Sequence, residues 1–197
     1  MADYRFDLVP LVCYRTGKLK VTQQNECTLQ SGTSFLAQYY NKALGAGSSI
    51  SLLFVTPNND DLTVTMEVGF SGSKAGEMVI WEAPAATAAA NPVDAICLNR
   101  KNPTVATCVV THTPTGVDTS GATKLKDDIF GSVGGNPSQD DTGGGGVSRN
   151  RRMLKPNTKY LITLTNDDST DPGAFELDIY WDEIEYPNDT YYAKELA

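Results

Sequence analysis

Apolar and polar residues alternate most regularly from Leu62 to Phe70, where Leu62, Val64, Met66, Val68 and Phe70 are separated by Thr63, Thr65, Glu67 and Gly69. A period of two sends these apolar side chains to one side of an extended chain, so the segment predicts a strand with one buried and one wet face. Glu77 to Ala83 reads as a second strand, and the six residues between them suit an antiparallel hairpin. Ile50 to Val55 is apolar at nearly every position and ends at Thr56-Pro57, which predicts a central strand covered on both sides. Leu29 to Ala37, running on to Tyr39 and Tyr40, favours a strand over a short helix because aromatic residues suit a pleated surface.

The C-terminal half repeats the pattern around a different kind of connection. From Gly131 to Gly146 seven of sixteen residues are glycine and few side chains are apolar, so the segment reads as a long flexible excursion. It leads through a basic cluster and a Lys155-Pro156-Asn157 turn into a strand from Tyr160 to Thr165. A turn from Asn166 to Gly173 then precedes Phe175 to Tyr186, and the two strands read as a hairpin or as neighbours. Phe175, Leu177, Ile179 and Trp181 share one face while Ile184 and Tyr186 fall on the other, which predicts a bulge near Asp182-Glu183. Leu125 to Phe130 is ambiguous between strand and helical turn. Ala95 to Leu98 and Thr107 to His112 read as short strands. The Ala-rich stretch from Pro84 to Pro92 reads as a loop, because prolines bracket it and no helical period runs through it.

About ten short strands, Gly/Pro turns and no amphipathic helix predict an all-β antiparallel sandwich of jelly-roll type, with a long Gly-rich loop and extended arms. An immunoglobulin-like sandwich ranks second, since its Cys…Trp…Cys spacing is not matched. The 197 residues fit a single domain, with an N-terminal arm over about 1–28, bearing one or two short strands, and a tail over about 187–197.

Composition narrows the function classes. A net charge of −8 repels nucleic acid and anionic membrane. No apolar run approaches the length of a membrane span, and MADYRFDLVP does not read as a signal peptide. Cys13, Cys27, Cys97 and Cys108 show no metal-ligand spacing and read as buried free thiols. Nucleophilic catalysis would depend wholly on His112, for which the plainer reading is a polar strand end. No phosphate-binding or nucleophile-elbow motif is present, so no cofactor is expected.

The carboxylates at Asp167, Asp168 and Asp171 and at Asp178, Asp182, Glu183 and Glu185 raise a glycosidase pair or a calcium site, but in neither ligand order. Turn aspartates commonly serve the backbone, and Glu176, Asp178 and Asp182 read as the wet face of the last strand. Tyr39, Tyr40, Trp81, Tyr180 and Trp181 offer either a sugar platform or core. Arg149, Arg151 and Arg152, with Lys155, form the one dense positive cluster, which is a solvated loop or a docking element for an acidic protein surface.

At SISLLFVTPNNDDLTV, EMVIWEAP, GGGGVSRNRRMLKPNTKYLITLTND and FELDIYWDEIEY the chain resembles small auxiliary virion proteins of tailed bacteriophages, of the capsid decoration, cement or head-fibre type. The likeness covers about Gln30 to Tyr186; relatives often read Glu-Gly-x-x-Phe where this chain has Ser31-Gly32-Thr33-Ser34-Phe35. The resemblance implies a β-rich, non-enzymatic protein, made in the host cytoplasm and placed on the capsid surface, whose partner is the major capsid protein. A carbohydrate-binding or host-recognition module of a tail fibre is the alternative.

Small all-β virion proteins gain by burying sheet edges and arms against copies of themselves, so a trimer, or failing that a dimer, is expected. Arg149, Arg151 and Arg152 are expected to pair with capsid carboxylates. The loop from Gly131 to Arg152 is expected to order on contact, and replacing the three arginines by Glu to lower occupancy on particles without lowering the melting temperature.

Overall fold

The computed structural model describes residues 11–13, 18–20, 29, 31–131, 146–147 and 151–185, those of 11–13, 18–20 and 146–147 by backbone alone. Two short N-terminal strands, β1 (Leu11–Cys13) and β2 (Lys18–Lys20), pair antiparallel, as expected for the arm. The remaining elements are β3 (Ser34–Leu44), β4 (Ser49–Val55), β5 (Leu62–Gly72), β6 (Gly76–Glu82), β7 (Ala85–Thr87), β8 (Ile96–Cys97), β9 (Val109–His112), β10 (Thr115–Asp118), β11 (Thr123–Phe130), β12 (Gly146–Val147), β13 (Arg152–Leu154), β14 (Lys159–Asn166) and β15 (Gly173–Glu185). Leu125 to Phe130 thus resolves as strand.

Two antiparallel sheets pack face to face as a β-sandwich. One runs β11-β6-β14-β4-β9; the other runs β12-β5-β15-β3-β8, with β13 also on β5. The pairings have a simple logic. β3 pairs β15, β4 pairs β14, β5 pairs β13 and β6 pairs β11, so the chain is a long ribbon folded back on itself. The ribbon then closes on itself where β15 also takes β5 and β14 also takes β6. Inward residues of both sheets form one core, in which Trp181 stacks on Phe35 with ring centroids 5.5 Å apart and meets the edge of Phe54 at 5.3 Å. β4 is covered on both sides as its apolar run predicts: Leu53 joins Leu161 and Ala86 in a second cluster on the outer face, beside Trp81.

Two expected hairpins are instead crossings between sheets. β5 and β6 alternate as anticipated but lie in opposite sheets, because β15 and β14 occupy the edges they would have offered each other. Glycines make the corner possible. A Cβ on Gly72 would come 2.6 Å from the Phe175 ring, and one on Gly76 would come 2.5 Å from the Thr165 carbonyl oxygen. β14 and β15 likewise face each other across the core. Their connection is anchored by the buried Asn166, whose Nδ2 donates to the carbonyls of Leu44 and Asp171, 3.0 Å each.

The bulge expected near Asp182-Glu183 is absent: the register of β15 on β5 runs unbroken from Phe175 opposite Gly72 to Glu185 opposite Leu62. The inward position after Trp181 is taken by Glu183, whose charge is accommodated by hydrogen bonds and not by turning the strand. Tyr186, the tail and most of the Gly-rich excursion lie outside the described residues.

Gly76→Ala should destabilise the fold by about 1–3 kcal/mol, as overpacking does, because the obstructing atom is backbone. Gly121→Ala, with nothing within 4 Å, should stay within about 0.5 kcal/mol of the parent in urea unfolding.

Candidate functional site

The basic segment enters the sandwich as an edge strand. β13 places Arg152 opposite Met66, Met153 opposite Thr65 and Leu154 opposite Val64. The alternation buries Leu154 and leaves Met153 74% exposed. Arg149 lies outside the described residues. Arg151 is not held in reserve for a partner, because its guanidinium pairs with the carboxylate of Asp182. Asp182 is only 3% exposed and also accepts a 2.5 Å hydrogen bond from Ser34 Oγ. This corrects one expectation, since Asp182 is not on a wet face, and it means that an exchange including Arg151 also removes the partner of a buried carboxylate. Lys155 extends to Glu82 Oε1 at 2.7 Å, while its backbone N–H donates to Tyr160 Oη at 2.8 Å. The segment is therefore stitched to both sheets.

On the other side of β15, Glu183 is 5% exposed and closes the core. Its Oε1 accepts from Trp181 Nε1 and Cys108 N at 2.9 Å each, and its Oε2 accepts from Thr107 N at 2.9 Å and Thr107 Oγ1 at 2.7 Å. Burial alone would raise its pKa; the donors of Cys108, Thr107 and Trp181 outweigh burial and hold it below the ordinary glutamate range. Sequence reasoning missed this clasp, since nothing in Trp-Asp-Glu-Ile marks one carboxylate as buried. Burial and the adjacent Glu183 push the Cys108 thiol strongly up, which disfavours the thiolate form. Cys97 is likewise buried and free, as expected of both.

The other candidates resolve individually. His112 ends β9, stacks on Tyr39 with ring centroids 4.6 Å apart, and has Thr113 Oγ1 3.0 Å from Nδ1. Asp168 accepts from the backbone N–H groups of Thr170 and Asp171 at 2.9 Å each, and those bonds, with Lys74, hold its carboxyl well below the usual range. Among the described residues no three His, Cys, Asp or Glu side chains are placed to hold a metal ion.

Of the aromatic set, Trp181 is core and Trp81 lies beneath Lys124, whose Nζ is 5.2 Å from its ring centre. Tyr40 and Tyr180 remain on the outer face of the sheet. There the register sets Tyr40 beside Glu176 and Ser71, Gln38 beside Asp178 and Gly69, and Leu36 beside Tyr180 and Glu67.

Arg151→Ala removes the cation from a buried carboxylate and should lower the melting temperature by several degrees, as about 1–3 kcal/mol does in a chain of this size. Glu183→Gln turns an amide N–H donor toward donors that the carboxylate now satisfies, and should cost more. The folded pKa of Glu183 lies below the unfolded value, so its stabilisation is present above about pH 4.3 and is lost as the pH falls through the folded value. The variant should accordingly lose less stability than the parent on acidification, read by thermal melts from neutral to acid pH. No protein-family model matches this chain, and no curated protein matches it.

Proposed function

We propose that the chain is a non-enzymatic structural protein of a tailed-phage virion, a decoration protein that binds the outside of the head and reinforces contacts between capsid subunits. The observation that carries this reading is the strand order. Eight principal strands pair first with eighth, second with seventh, third with sixth and fourth with fifth, a pairing that supports reading the sandwich as a jelly roll. The segments that resemble auxiliary virion proteins supply six of those eight strands: β4 and β5, β6, β13 with β14, and β15.

The chemistry of the side chains supports a structural role. The buried carboxylates serve the fold, the Cys108 thiol is held protonated, and His112 is packed on an aromatic ring. No helix among the described residues is long and apolar enough to cross a membrane.

The attachment surface in this reading is the β13 edge. Arg152, Lys155 and the exposed Met153 lie there, Arg149 shortly precedes them in sequence, and arginine forks complement carboxylates of the major capsid protein. Self-association as a trimer, or otherwise a dimer, belongs to the same proposal.

Purified particles examined by mass spectrometry and electron microscopy should carry the protein over the head surface; its absence, or its confinement to the tail tip, would refute the assignment. Arg149→Glu with Arg152→Glu should reduce occupancy on particles in low and moderate salt, with the melting temperature followed in parallel to separate docking from folding. Unchanged occupancy would move the attachment surface elsewhere.

A further inference from the structure

We infer that the outer face of the β3-β15-β5 sheet is a binding platform for an uncharged oligosaccharide, with Tyr180 and Tyr40 as stacking surfaces. The inference goes beyond the capsid role and does not depend on it. Tyr40 is 51% exposed and Tyr180 37%, on a face whose positions between the two rings, Glu176, Asp178, Gln38, Ser71 and Gly69, are polar or small. Gly69 explains how Tyr180 is presented. A Cβ there would lie 3.8 Å from Tyr180 Cε2 and 3.4 Å from Asp178 Cβ, so the ring leans across the space that a side chain on Gly69 would fill. A ring laid over a sheet turns its electron-rich face outward, where it suits the polarised C–H groups of a sugar ring. Tyr40 sits opposite Glu176, four residues from Tyr180 along β15, so the backbone positions that carry the two rings are about 14 Å apart, within the reach of a short sugar chain.

Between and beside the rings stand groups that accept hydrogen bonds from hydroxyls. Asp178 is half-buried and oriented by Gln38, whose Nε2 donates to its Oδ1 at 3.0 Å. Ser71 Oγ donates to Glu176 Oε2 at 3.4 Å, leaving the other oxygen of each carboxylate for a ligand. Orientation by neighbours before binding is what a site with few polar contacts needs. Burial raises the Asp178 carboxyl, and burial with Asp178, Glu176 and Glu67 raises the Tyr180 phenol. The field of these carboxylates excludes anionic glycans. A guanidinium-bearing peptide would meet the charge, but two separated flat rings with acceptors between them match a chain of sugar rings better.

The test titrates the full-length protein with neutral gluco-oligosaccharides and N-acetylglucosamine oligomers of four to six units, with heparin and an octa-arginine peptide alongside, by calorimetry and by NMR of the tyrosine rings. Saturable binding of at least one neutral oligomer is expected, weakened about tenfold or more by Tyr40→Ala or Tyr180→Ala. Because Tyr180→Ala uncovers Gly69, Tyr180→Phe is the companion variant; it keeps the ring and should keep the affinity within about threefold, less than one hydrogen bond's worth. Melting curves of each variant separate binding from folding. Binding of none of the neutral oligomers, binding indifferent to both alanine variants, or binding of the octa-arginine peptide alone overturns the inference.

Discussion

The closure of the sandwich rests on the last strand. β15 pairs with β3 on one edge and β5 on the other, and its inward side chains Phe175, Leu177, Ile179 and Trp181 occupy the middle of the core. Its partner β3 lies near the start of the described sandwich, so hydrogen bonds such as Ser34 to Asp182 join residues 148 apart in sequence. A fold closed by such distant pairings must order a long intervening chain before its best contacts form, which places it among slow-folding topologies. The tyrosine-bearing face lies on β15 and its two partners, and the β13 edge joins that sheet through β5.

Much of this was legible in the sequence. The alternation at Leu62 to Phe70, the double-sided run at Ile50 to Val55 and the short strands beyond Ala95 all appear where the pattern places them. What the pattern could not convey is which strands meet. Alternation specifies a buried face and is silent about the neighbour, so the β5–β6 and β14–β15 connections looked like hairpins. Gly72 and Gly76, flanking the crossing, were the available signal: each has a neighbour too close for any side chain. The basic segment was visible as charge alone, and Arg151 was misjudged because its counter-ion is remote in sequence and lies on a strand face assumed to be wet.

Charge is used here in two opposite ways. Within the fold, Asp182 and Glu183 stand on opposite faces of one strand, and each is buried with its own donors. One secures the entry of β13; the other secures the Thr107–Cys108 segment that leads into β9. At the sheet margins charge guards the backbone. β11 ends its sheet with Lys124, Lys126, Asp127 and Asp128 and an irregular register after Lys124, devices that discourage pairing with a foreign strand. β9 is closed off by Val93 and Asn91, which hydrogen-bond Val110 and His112. Pairing of a foreign strand with these two margins is thereby disfavoured.

The two ends of the Gly-rich excursion are fixed to the sandwich by independent means. Gly131, with φ of 75°, lies against the Ala75 backbone, so closely that a Cβ would come within 2.8 Å of it, and Arg151 is held by Asp182. The entropy of closing a chain between two fixed posts rises by only about 0.6 kcal/mol for each doubling of length. Residues inserted between Gly131 and β12 therefore add little closure entropy, which makes that stretch, and not β12 itself, the place for an engineer to graft a peptide.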